Sequence, residues 1–311
     1  MNKIIFDAHQ DVLSHVKNVK EDSAKFQTGF EELIRSPIKL VTTSVFLNPE
    51  EVANLGNLEK IKLAEDQIKE YLDIISSNEK LMLVKSKKDL DILTNSDMTG
   101  ILIHIEGIDF VDEENIDALD KLYELGLRSA GLVWGQKNSL ASDCKSDGGL
   151  TELGRKFLIK ANELGIIVDL AHTNEETFRD VLLISQKPVM ISHGNCFDLC
   201  GDDRNFNFRQ IKELGEKRGV QGIFFSRKYV GKSESITLED VLSHFIYVYA
   251  ISPDSVMIGS DFGGISSGFV EGLECIDDLG ELLEKIRDRF GEEVYEKIAY
   301  KNYLKFLKKV L

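Results

Sequence analysis

The chain has 311 residues, of which 42% are hydrophobic and 29% charged, and it carries a formal net charge of -15 at pH 7. That acidity argues against nucleic acid and anionic membrane surfaces as partners, because both attract clustered lysine and arginine and no basic patch reverses the balance. Four cysteines (Cys144, Cys196, Cys200 and Cys275) are too few for a disulfide scaffold and read as free thiols, while no apolar stretch reaches the roughly 20 residues of a membrane span and no secretory leader is evident, so a cytoplasmic location is expected.

Short apolar runs of strand character alternate with longer stretches of helical period. The expected strands are Ile4 to Asp7, Leu40 to Leu47, Gly100 to Ile105, Ser129 to Trp134, Ile166 to Leu170, Pro188 to Ser192, Gly219 to Phe225 and Ser255 to Gly259. Between them, Leu58 to Ser76, Thr151 to Leu164, Glu175 to Ser185, Phe208 to Arg218 and Leu238 to Ile251 read as amphipathic helices, with Thr151 as an N-cap. The tail from Leu282 to Leu311 reads as two or three closing helices. Eight strands alternating with helices, with no repeat and no low-complexity linker, predict a single (β/α)8 TIM-type barrel over residues 1–311, whose active site sits where the strands end.

Polar clusters fall at those strand ends. His9 and Asp11 close the first run two residues apart, a spacing that puts both on one face of a strand. Glu106 closes the third run, and His172 and His193 close the fifth and sixth. Imidazoles and carboxylates delivered from separate strands make a set for zinc or a similar divalent ion. His15 and His244 read as structural, and His104 as a core or supporting residue on the face of Glu106.

Taken in order, the fragments Asp7-Ala8-His9-Gln10-Asp11, Ile105-Glu106-Gly107, Gly149-Leu150-Thr151, Val168-Asp169-Leu170-Ala171-His172, Ile191-Ser192-His193, Asp203-Arg204-Asn205 and Ile258-Gly259-Ser260-Asp261-Phe262 resemble the membrane dipeptidase (renal dipeptidase) family of zinc peptidases. The resemblance runs over nearly the whole chain. It implies a metal-dependent barrel with two divalent ions, zinc by preference. His9 and Asp11 would hold one ion and His172 and His193 the other, with Glu106 as the bridging carboxylate. It further implies Asp261 as the catalytic acid and base, Arg204 as the group that binds the terminal carboxylate of a small peptide, and a homodimer. Water bound to such ions ionises near neutral pH.

One position departs from the family. Where the family has a histidine at the end of the fourth strand, this chain reads Leu132-Val133-Trp134. An indole donates one hydrogen bond but cannot act as a cation, so Trp134 is expected to wall the substrate pocket, with His104 or His15 as alternative imidazoles for that space. The expected function is a binuclear zinc dipeptidase. A metal-dependent amidohydrolase with another substrate, and a catalytically weak metal-binding homologue, are the alternatives.

Overall fold

The strands read from the sequence close into a ring. A computed structural model describes residues 4–18 and 26–311. Its strands are β1 (Ile5–Gln10), β2 (Ile38–Phe46), β3 (Leu81–Leu83), β4 (Thr99–Glu106), β5 (Leu127–Gly131), β6 (Ile167–Asp169), β7 (Met190–Ile191), β8 (Val220–Ile223) and β9 (Val256–Ile258). All pair in parallel, and β2 pairs β4 from Leu40 opposite Gly100 to Phe46 opposite Glu106. That pairing closes an eight-stranded barrel. The unforeseen β3 lies outside the closure: it pairs only the first residues of β4, on the edge that β5 takes over from Ile103.

Helices Asn57–Ser76, Glu152–Leu164, Glu175–Ile184, Phe208–Glu216 and Leu238–Ile251 run close to their expected limits. Thr151 does cap its helix, its hydroxyl accepting from the Gly154 amide at 3.0 Å. The tail forms Leu279–Phe290, then Glu292–Glu296 passing through a π-helical turn into Asn302–Val310.

Period-2 alternation explains how the barrel sets up its site. One face of β2 and β4 (Val41, Val45, Ile101, Ile103 and Ile105) packs outward in the large hydrophobic core. The opposite face points inward and changes character along each strand. Near the strand starts it is apolar: Phe6, Leu40, Leu102, Met190, Val220 and Met257 form an inner core closed by Tyr303, Phe306 and Leu307 of the last helix. Thr42 contacts the Tyr303 hydroxyl at 2.6 Å, so the plug is fixed from within. Two residues further along, the same face presents Ser44 on β2 and His104 and Glu106 on β4. Chemistry therefore concentrates at the C-terminal rim, above an apolar floor.

Candidate metal centre

Glu106, at the last position of β4, is the hub of the rim. Its Oε1 lies 3.7 Å from His9 Nε2, 3.0 Å from His172 Nε2 and 3.5 Å from His193 Nε2. His9 Nε2 is also 3.4 Å from Asp11 Oδ2 and 3.8 Å from Asp261 Oδ1, while the Nε2 atoms of His172 and His193 face each other at 3.1 Å. All six side chains named from the sequence for metal ligation or proton transfer thus converge. His9–Glu106–His193 and His9–Asp11–Asp261 each bring three ligand atoms within 4.8 Å of one another.

Local structure holds them there. β1 loses regular register with β2 between Asp7 and Gln10, and the Asp11 amide then donates to the Phe262 carbonyl at 2.9 Å. His172 and Asp261 adopt left-handed backbone, with φ of 67° and 64°. Such conformations are costly for residues with a Cβ and persist only when the surroundings enforce them. His172 is held by the Cys144 amide on its carbonyl at 2.7 Å, and Asp261 donates its amide to the His9 carbonyl at 3.1 Å.

Two buried aspartates, not singled out from the sequence for any role, tie neighbouring strand ends together. Asp169 accepts from the Ser192 amide at 2.8 Å, the Ser192 hydroxyl at 2.5 Å and the Ala171 amide at 3.0 Å. Asp7 does the same across β1 and β9, accepting from the Ser260 amide at 2.9 Å and hydroxyl at 2.6 Å. The first clip also fixes an imidazole. Ser192 gives its only proton to Asp169, so its oxygen, 2.9 Å from His193 Nδ1, accepts from that nitrogen. His193 Nε2 is then the bare lone pair, aimed at Glu106 and His172.

Burial sets the electrostatics. It drives the Glu106 carboxyl well above its ordinary range and lifts Asp261 to about 7. For His9 burial works in the opposite direction, but the carboxylates of Glu106, Asp11 and Asp261 prevail and hold the imidazolium up to about 10. Burial tends to raise Asp11 too, yet the adjacent His9 imidazolium and a hydrogen bond from Ser44 keep it below the usual carboxylate value. Burial pushes His172 and His193 well below the ordinary imidazole value, and the Arg204 and His9 charges add to it. The donor chemistry fits divalent metal. Both His9 ring nitrogens are buried without a hydrogen-bond partner, an arrangement rare in a closed protein interior, and neutral imidazoles converge with carboxylates on shared space.

Above the cluster opens a cavity of about 490 Å³. Phe46 and Trp134 form one wall, their rings edge to face at 4.8 Å, with Trp134 6.0 Å from His172. Arg204 also lines the cavity and is 4% exposed. Its Nη2 donates to the His193 carbonyl at 3.0 Å, its guanidinium lies 5.2 Å from the Phe224 ring centre, and its Nη1 is buried with no partner. Gly264 leaves the space between two carboxylates: a Cβ there would sit 2.6 Å from Asp11 Oδ2 and 2.7 Å from Asp261 Oδ1.

Neither alternative imidazole replaces Trp134, since the histidines lining the cavity are His172 and His193. His104 is fully buried behind His9, 2.9 Å from the Ser129 hydroxyl and 3.5 Å from Asp169. His15 accepts from the Gln27 amide at 3.0 Å, and His244 accepts from the Cys196 amide at 3.1 Å. All four cysteines are free thiols. Among the described residues, no helix is long and apolar enough to cross a membrane.

The family described as membrane dipeptidase (peptidase family M19) matches over residues 1–311. An uncharacterized protein in the pqqA 5' region of Klebsiella pneumoniae is 29% identical over 251 residues, covering 76% of this chain and 92% of that protein. Dipeptidase aclJ of Aspergillus oryzae is 33% identical over 195 residues, covering 60% of this chain; the match spans 46% of that protein's length. In fold, the chain superposes with a TM-score of 0.90 and 21% identity, over 100% of both chains, on a metallo peptidase from Rhodobacter sphaeroides crystallised with a phosphinate mimic of the dipeptide L-Ala-D-Ala.

Proposed function

The chain belongs to the membrane dipeptidase family of metallopeptidases, and from that premise we propose that it is a binuclear, zinc-dependent dipeptidase working at the rim cluster. The observation that carries this reading is Glu106 Oε1, which approaches three imidazole Nε2 atoms at 3.0 to 3.7 Å. One carboxylate in that position is suited to serve two ions, His9 and Asp11 completing one set of ligands and His172 and His193 the other. The ions would supply Lewis acidity, polarising the scissile carbonyl and lowering the pKa of water from 15.7 towards about 7.

The remaining steps belong to side chains. Arg204 takes the terminal carboxylate of the dipeptide on its free Nη1, a charge-assisted bond in a setting with little competing water. Phe46 and Trp134 give the substrate an aromatic wall. Asp261, 3.8 Å from His9 at the edge of the cluster, accepts the proton lost by the attacking water and returns it to the leaving amine, a general acid–base role open to a carboxylate at the reacting centre. Gly264 keeps the approach to Asp261 open. The reading includes one domain over residues 1–311 and, from the family resemblance, a homodimer.

Asp261→Asn tests it. The amide is nearly isosteric but cannot take a proton, so the variant should bind its metals as the parent does while turnover falls about 100-fold or more. Unchanged turnover refutes the proton role, and loss of metal reassigns Asp261 as a ligand.

A further inference from the structure

Charge in the cleft is segregated. Its carboxylates, Asp11, Glu106 and Asp261, all belong to the rim cluster, whereas the lining beyond them presents Arg204, Lys228 and hydroxyls. The two cations share one aromatic platform. Phe224 and Tyr229 stack with centroids 5.3 Å apart, the Arg204 guanidinium lies 5.2 Å from the first ring centre, and Lys228 Nζ lies 4.9 Å from the second.

Lys228 is exposed at the cleft mouth and forms no ion pair among the described residues; its Nζ has only the Tyr229 hydroxyl, at 3.4 Å. Other lysines there also lack an ion pair, Lys137 and Lys232 among them; what singles out Lys228 is its place in the lining of the cavity that holds Arg204. Beside it, the Ser226 and Ser267 hydroxyls lie 2.7 Å apart. Two hydroxyls that share one proton between them keep the other free to donate outward. Arg204 and this donor surface line the same cavity, within which a dipeptide held by its terminal carboxylate would lie.

Building on the dipeptidase reading, we propose that Lys228 makes the site selective for dipeptides whose second residue carries an acidic side chain, aspartyl or glutamyl. Nζ pairs with the side-chain carboxylate, and the Ser226–Ser267 pair donates to its other oxygen. Because Lys228 is solvated, the gain is modest and falls with ionic strength.

The test compares kcat/KM for Ala-Glu and Ala-Asp with the near-isosteric amides Ala-Gln and Ala-Asn, with calorimetric binding of the same four dipeptides to metal-loaded Asp261→Asn as a readout independent of turnover. The acid-to-amide ratio should be about three- to tenfold at low salt. It should fall to near one in Lys228→Met, and Lys228→Glu should favour Ala-Lys instead. Neutral dipeptides accepted with no acidic preference, or a preference that Lys228→Met leaves intact, overturn the subsite alone. Failure to bind or cleave any dipeptide overturns the dipeptidase reading, and the subsite with it.

Discussion

Ser192→Ala isolates the hydrogen-bond chain that aims His193. In the parent, Asp169 Oδ2 accepts from Ser192 Oγ at 2.5 Å, and Oγ in turn faces His193 Nδ1 at 2.9 Å. The methyl side chain keeps the packing and the Ser192 amide bond to Asp169 at 2.8 Å, but it leaves a buried Nδ1–H without an acceptor. An unsatisfied buried donor costs about 1 to 3 kcal/mol, and the imidazole can answer by rotating or by moving its proton to Nε2, either of which spoils a lone pair meant for metal. Loss of such an outer partner typically weakens metal binding about 10- to 100-fold, or about 1.4 to 2.8 kcal/mol, which matches the cost of the orphaned donor. Chelator competition on folded protein measures the dissociation constant, with circular dichroism to confirm the fold. Turnover at saturating metal should largely recover. An affinity within twofold of the parent would refute the argument that Ser192 sets the His193 tautomer.

Metal uptake should depend on pH in a fixed direction. Without metal, the neighbouring carboxylates keep a proton on His9, whose pKa is held up to about 10; an ion must displace that proton, so affinity should rise with pH and fall as pH drops. Calorimetry in buffers of different ionisation enthalpy should detect proton release at pH 7, and its absence would contradict that shift. Gly264→Ala drives a methyl into the gap between Asp11 and Asp261, so turnover at saturating metal should drop about tenfold or more; parent-like rates would mean that the gap is not used. Trp134→His supplies the imidazole that the family resemblance implies at this position, and should raise kcat/KM on simple dipeptides by about tenfold through donation to the developing oxyanion. A loss on every dipeptide would instead mark Trp134 as a wall shaped for this chain's own substrate.

The barrel was legible because parallel strands buried on both faces leave near-continuous apolar runs, several of which close on a histidine or a carboxylate. β3 was not, since three residues pairing one end of β4 leave no periodicity to read. The strand expected to reach Trp134 stops at Gly131, whose carbonyl accepts from the Ile108 amide at 2.9 Å, so Leu132 and Val133 are buried in the loop that follows. His9, Glu106, His172 and His193 could be picked out as strand-end residues of metal-binding type. Asp7 and Asp169 could not be given roles, because a single aspartate in an apolar run says nothing of which neighbouring strand it will tie. Arg204 was ambiguous for a similar reason: in an Asp-Asp-Arg-Asn loop a surface ion pair competes, and its burial depends on His193 and Phe224, which reach it only in the folded chain.

The most direct measurement is a zinc titration of the metal-free protein that follows hydrolysis of a simple dipeptide. A binuclear site predicts no turnover without metal and a rate that climbs to a plateau at about two ions per chain. A plateau at one ion, or turnover indifferent to metal, would contradict a shared Glu106.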